Sequence, residues 1–228
     1  MRLLSIAPHA DDEVTFAGFI KKVVNNGGES VIVCMTGGKL RKKEFLQSSK
    51  VLGSKPVFLG CPDRGLNDLN RKNIIDRLIR IIRKFKPHII LTVSEYDYHP
   101  DHKKTLGLLK EAVEFASHGT KETGWLVDKV LCFESSNLFP YPDYLINIDK
   151  EFETKLKAIK KYPSQLKATH KKNYYINSLT AKSAARGVMA GCKYAEACIE
   201  LKFPVHGNFY CRDRTINKIE DLKIKDDK

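Results

Sequence analysis

Short apolar runs alternate with amphipathic ones along most of the chain. Residues 2–7, with Leu3, Leu4 and Ile6, read as a strand, and apolar positions 16, 19, 20, 23 and 24 then share one face of a helix over 14–24 that stops at Asn26-Gly27-Gly28. A strand rich in β-branched residues follows at 30–35, a helix at 42–52 ending at Gly53, and a strand at 56–60. Ile74, Ile75, Leu78, Ile81, Ile82 and Phe85 form a helical stripe with Arg77, Arg80, Arg83 and Lys84 mostly on the other side, and Lys86-Pro87 ends it. A strand at 88–93, a helix at 103–115 and a strand at 129–134 complete the regular part. Beyond residue 149 the pattern weakens to helices near 151–161 and 180–189, followed by irregular chain.

Alternation of this kind predicts right-handed crossovers and a mostly parallel α/β sheet with helices on both faces. No internal repeat, low-complexity segment or linker interrupts it, so one domain spanning 1–228 is expected, less regular towards its C-terminal part.

Lysine and arginine exceed aspartate and glutamate to give a formal net charge of +13. Such an excess raises a nucleic-acid-binding or anion-binding reading. No zinc finger, helix-turn-helix or RNA-binding signature accompanies it, and much of it lies in 155–172 and 218–228, so a solvated basic face is expected and no nucleic-acid partner. The six cysteines, at 34, 61, 132, 192, 198 and 211, form no CxxC and read as reduced, mostly buried thiols. No apolar run is long enough for a membrane span, and the first strand is too short for a signal peptide, so a cytoplasmic protein is expected.

The chemistry is concentrated in two stretches. "APHADDE" (7–13) leaves the first strand, and "EYDYHPDHKKT" (95–105) leaves the fourth. Ligands of open α/β sheets bind beyond the carboxyl ends of the strands, so these two His-and-Asp clusters fall on one rim. One imidazole and three carboxylates in five residues repel unless a cation or a reaction uses them. His9 and Asp12 can face one ion while Asp11 faces elsewhere. Of the two imidazoles in His99-Pro100-Asp101-His102, one can complete a three-ligand hydrolytic zinc site and the other can face substrate. The carboxylates at 11–13 also suit a helix N-terminus.

These motifs resemble those of the PIG-L/LmbE-like N-deacetylase family: its (A/P)HPDDE motif stands here as 8–13, with Ala10 in place of the commoner Pro, and its HPDH motif as 99–102. "RKKE" (41–44), "PDRGL" (62–66), "YPSQL" (162–166) and "RGVMAGCKYAEACI" (186–199) also look like family landmarks. The "HADD", "PDRGL" and "KYAEA" segments are most like the members of bacillithiol biosynthesis that act on N-acetylglucosaminyl malate. The resemblance implies a Rossmann-like fold, homo-oligomerisation and hydrolysis of an N-acetylglucosamine-type conjugate. It implies Zn2+ (Fe2+ or another divalent ion fitting the same ligands) on His9, Asp12 and His102, and Asp11 as general base. It further implies a protonated His99 as oxyanion donor, oriented by Asp101, and Arg41 and Asp63 on the sugar. Another glycoside, a nucleotide-linked aminosugar or an amide of a thiol conjugate are alternative substrates, and a non-catalytic sugar-binding protein is the alternative of another class. Glu13 is expected to support the loop; Tyr194 and Glu196 could close the pocket or serve an interface. His88, His118, His170 and His206 lie outside both motifs.

Overall fold

The computed structural model describes residues 1–120, 123–167 and 173–202; His170, His206, Cys211 and the basic stretch at 218–228 lie outside these. The five expected strands form as β1 (Arg2–Ala7), β2 (Glu29–Thr36), β3 (Lys55–Cys61), β4 (Ile89–Val93) and β5 (Lys129–Phe133), all parallel. Two further strands, β6 (Tyr144–Asn147) and β7 (Ala195–Glu200), extend the sheet to the order β3-β2-β1-β4-β5-β7-β6, with β7 antiparallel to both its neighbours. Irregular chain is the expectation where β7 forms, and the pattern assigns no element to 144–147. β6 has only four residues, and Ala195-Glu196-Ala197 is poor in β-branched side chains and carries a charge.

Side chains of successive strand residues point to opposite faces, which produces two cores. Leu3, Ile32, Cys34, Leu91 and Leu131 pack with α1 (Ala17–Asn25), α2 (Lys39–Leu52), α5 (Phe152–Ile159) and α7 (Tyr174–Ala190). Leu4, Val31, Val33, Ile90 and Val130 pack with α3 (Arg71–Phe85) and α4 (Pro100–Ser117). The layers are those of the Rossmann-like expectation. A short α6 (Pro163–Leu166) follows α5, and no helix among the described residues is long and apolar enough to cross a membrane.

Several helix boundaries differ from the pattern for local reasons. Residues 12–16 form a 3₁₀ turn before α1. α4 begins three residues early, because the His99 side chain accepts the Asp101 N–H as a cap and Pro100 occupies the first turn, where its missing N–H costs nothing. α7 starts at Tyr174, six residues before the expected 180. Its first turns carry tyrosines and serines towards a cavity and so lack an apolar stripe.

The late landmarks hold the first ones in place. The buried Glu196 carboxylate accepts the N–H groups of Gly18 (2.9 Å) and Phe19 (2.7 Å) at the start of α1, and pairs with buried Lys155 at 2.7 Å. It thus satisfies helix-end donors and complements the positive end of the helix. Tyr194 stacks on Phe152 with ring centroids 3.6 Å apart. Neither residue closes the pocket.

Candidate metal centre and active site

β1 and β4 are hydrogen-bonded neighbours, with Leu3 opposite Ile89, and the chain moves outward from them in opposite directions. Their carboxyl ends therefore form the switch point of the sheet, where two crossovers diverge and leave a crevice. The loop carrying His9, Asp11 and Asp12 leaves one strand, and the loop carrying Asp97, His99 and His102 leaves the other.

Three acceptor atoms meet in this crevice. His9 Nδ1 lies 3.2 Å from His102 Nε2, and each lies 3.3 Å from Asp12 Oδ2. A tetrahedral ion with bonds of about 2.0–2.1 Å needs ligand atoms about 3.3–3.4 Å apart, so the triangle has the edges of such a site with one vertex left over. The nitrogens on the far side of both rings are engaged. His102 Nδ1 is 2.8 Å from Asp97 Oδ2, and His9 Nε2 is 3.1 Å from Asp101 Oδ2 and 3.2 Å from Asp63 Oδ1. A carboxylate on the outer nitrogen fixes the tautomer that turns the inner lone pair towards an ion. His9, His99 and His102 also offer nitrogens within 4.8 Å of one another, as do His9, Asp63 and Asp101 offer ligand atoms; the tighter triangle with Asp12 matches tetrahedral edges best.

Electrostatics agree that the triangle wants positive charge. Burial opposes ionisation of Asp12, but His102 and His9 hold its carboxyl well below the usual range. Burial also disfavours the imidazolium of His102, yet Asp12 and Asp97 push its pKa up to about 10. His9 is raised too, against its burial, chiefly by Asp12.

Asp11 faces away from the triangle. Its φ of 117° lies in the left-handed region that non-glycine residues avoid, at a cost of about 1–3 kcal/mol that surrounding contacts must offset. Arg41 Nη2 sits 2.9 Å from its Oδ1, and the Tyr175 hydroxyl donates to Oδ2 at 3.2 Å. Burial pushes the Asp11 carboxyl up to about 7 despite Arg41, with Asp12 and Glu13 adding to the rise. Glu13, fully buried, accepts the Asp11 N–H at 3.0 Å, Ser48 Oγ at 2.7 Å and the Tyr162 hydroxyl. Glu13 thus braces the loop, and Tyr162 of "YPSQL" braces Glu13.

The structure changes three of the expected roles. The Asp101 carboxylate does not reach His99; it holds His9 and accepts the Arg64 N–H at 2.8 Å, while its backbone N–H donates to His99 Nδ1 at 3.2 Å. Burial, with His9 and His102 alongside, pushes the His99 pKa down. Because Nδ1 accepts the Asp101 N–H, the ring proton of His99 belongs on Nε2, where it is a donor, and the arrangement favours the neutral ring over the expected imidazolium. Arg41 is not an open fork for substrate. Beyond Asp11, Nη2 donates to the Ala10 carbonyl, Nη1 lies 3.4 Å from both Glu44 and Ser164, and the guanidinium sits over the Tyr162 ring at 5.1 Å. Asp63, 67% exposed beside His9, keeps a place on the rim.

His9, Asp11, Asp12, Arg41, Asp63, His102 and Tyr175 open on a cavity of about 600 Å³, within the range of small-molecule sites. Its further walls come from Tyr98 and His99, the serines at 135 and 136, and α7. A larger groove of about 1040 Å³ between α3 and α4 shares no residue with it, and there Arg71 and Arg83 are spent on Glu111 and on carbonyls at the end of α4. Sequence reasoning missed Asp97, Tyr175 and Lys182. Asp97 carried a signal, standing two residues before His99 in a run of ligand-type side chains; the other two lie far away in a helix without a motif.

A mostly parallel sheet with a His/Asp cluster and a buried carboxylate at its switch point is a hydrolase-type arrangement whose side chains can hold a metal ion. Residues 4–113 match the model of the family PIG-L, described as GlcNAc-PI de-N-acetylase. It is 27% identical to a diacetylchitobiose deacetylase of Thermococcus kodakarensis over 72% of this chain and 70% of that protein. It is also 27% identical to a probable N-acetyl-alpha-D-glucosaminyl L-malate deacetylase 2 of Bacillus cereus, over 73% and 84%. Among solved structures, the N,N'-diacetylchitobiose deacetylase of Pyrococcus horikoshii superposes with a TM-score of 0.74 at 25% identity, covering 88% of this chain and 83% of that one. A 4-carboxy-2-hydroxymuconate hydratase of Pseudomonas putida shares the fold (TM-score 0.78, 21% identity, 92% and 99% covered). The fold alone therefore leaves the reaction open, and the site must carry the argument.

Proposed function

We propose that the protein is a metal-dependent N-deacetylase that hydrolyses the acetamide of an N-acetylglucosamine-type conjugate and releases acetate, with N-acetylglucosaminyl malate as its leading substrate. The observation that carries this is the triangle of His9, Asp12 and His102 with Asp11 beside it in one cavity. The named deacetylases among the relatives, one of them a malate-glycoside enzyme, support the substrate class.

His9, Asp12 and His102 would hold the ion, zinc by ligand chemistry and geometry, with iron(II) fitting the same donors. When bound, it supplies Lewis-acid polarisation of the acetamide carbonyl and a more acidic water. Asp11 takes the proton from the attacking water as its oxygen bonds to the carbonyl carbon. The Nε2–H of His99 donates to the oxyanion that forms. When the C–N bond breaks, Asp11 returns the proton to the leaving amine, and acetate and the free aminosugar depart. Arg41 and Tyr175 hold the carboxylate in place, and Asp63 borders the sugar.

The test is acetate release by metal-loaded protein from a panel of N-acetylated glycosides, with activity lost on chelation and restored by Zn2+ or Fe2+. Release that is indifferent to exhaustive chelation would exclude the metal mechanism, and no release from any glycoside would exclude the deacetylase.

Metal loading carries its own pH signature. Because His102 has a pKa near 10 in the ion-free site, it is protonated at pH 7.5 and must shed that proton to bind an ion. Calorimetric titrations in buffers of different ionisation enthalpy should show at least about one proton released per ion. Apparent affinity should rise with pH and level off only above the His102 pKa. Proton-neutral binding at pH 7.5 would contradict this assignment.

A further inference from the structure

One wall of the cavity is a single helical row: Tyr174, Ser178 and Lys182, spaced by four along α7. The Lys182 ammonium is half-buried and donates to the Ser135 carbonyl. Two carboxylates act on it, Glu134 and Asp97, and both are already spent. Glu134 accepts two donors from Arg186 and the Phe139 N–H. Asp97 accepts His102 Nδ1, Ser135 Oγ and the His99 N–H. Among the described residues, no carboxylate comes within ion-pair distance of Lys182. A cation placed in a ligand-sized cavity with a neutral carbonyl as its hydrogen-bond partner, and with its nearest carboxylates engaged by other donors, has no ion-pair partner of its own. Hydroxyl groups of Ser136 and Ser178 line the same cavity and can add donors. Of the other basic residues lining the cavity, Arg41 is tied to Asp11 and the Ala10 carbonyl, and Arg64 is exposed to solvent.

We infer that Lys182 is the specificity-determining residue of the site, binding an anionic group, a carboxylate or a phosphate, on the aglycone of the aminosugar substrate. This deepens the function proposed above and rests on it for the sugar, but the charge argument for the anion is independent. Burial and the like charge of Lys155 push the Lys182 pKa down, so the ammonium gains from an incoming anion. A charge-assisted contact remote from the acetamide helps position the reacting group, so it should raise kcat/KM and not affinity alone.

The experiment compares three substrates on metal-loaded full-length protein: N-acetylglucosaminyl malate, N-acetylglucosamine 1-phosphate and methyl N-acetylglucosaminide. Wild type should favour at least one charged substrate over the methyl glycoside by about tenfold or more in kcat/KM, the range for a hydrogen bond to a charged group. Which of the two does so identifies the anion. In Lys182→Met the charged-to-neutral ratio should fall to about one, and Lys182→Arg should retain part of it. A ratio near one in wild type, or a preference that survives Lys182→Met and falls in Arg64→Met, would overturn the inference. Calorimetric binding of the same three ligands to Asp11→Asn separates this from the function itself. If charged ligands bind more tightly through Lys182 while wild type releases no acetate, the anion site stands and the deacetylase falls. If acetate is released equally from charged and neutral glycosides, the reverse holds.

Discussion

Asp11→Asn should retain the ion and the fold yet lose acetate release by about 10²- to 10⁴-fold, the contribution of a positioned general base. The backbone argument is favourable, because asparagine is among the few residues that tolerate positive φ, and position 11 has a φ of 117°. The amide oxygen can still accept from Arg41 or Tyr175, so the packing of the loop survives. What it cannot do is take a proton from water. The loss should fall on kcat with KM little changed, since Asp11 is assigned to proton transfer and not to sugar binding. Wild-type turnover by the variant would remove Asp11 as the base.

Asp12→Ala and His102→Ala should each abolish stoichiometric metal binding, measured by metal analysis after gel filtration. Each removes one vertex of a triangle whose edges are 3.2 to 3.3 Å and leaves two ligands where a hydrolytic site needs three. Asp97→Asn provides a graded comparison. Of the three ligands it touches only His102, at the outer nitrogen, so it should weaken metal affinity by about 10- to 100-fold without eliminating it. Full occupancy in Asp12→Ala and His102→Ala would sink the ligand assignment. An affinity unchanged in Asp97→Asn would show that the orientation of His102 does not depend on its carboxylate.

The sequence revealed the parts of this molecule that depend on periodicity and local chemistry. β1 to β5 follow from the alternation of apolar runs with amphipathic ones, and the stripe of α3 from the one face that it turns to the sheet. The two ligand clusters could be placed on one rim because the carboxyl ends of parallel strands share an edge. β7 escaped because its stability comes from partners and not from propensity: Glu196 is acceptable in the interior only through Gly18, Phe19 and Lys155, far away in sequence. The family resemblance puts Asp101 on His99, yet its carboxylate reaches His9, ninety-two residues away. Arg41 was recognisable as a site residue but not in its role, because the carboxylates that consume its donors come from several segments. Side-chain direction in a crevice is decided by contacts that no single stretch contains.

The bracing of Glu13 has a consequence for how the chain can be divided. The segment matching the PIG-L family, 4–113, contains every candidate ligand and the base. Yet the carboxylate beneath the base is held by Tyr162, the guanidinium on the base by Ser164, and the first helix by Glu196. Chemistry is written in the first half and its rigidity in the second. A fragment cut after the family match would keep the full inventory of reactive groups and lose the geometry that makes them a centre.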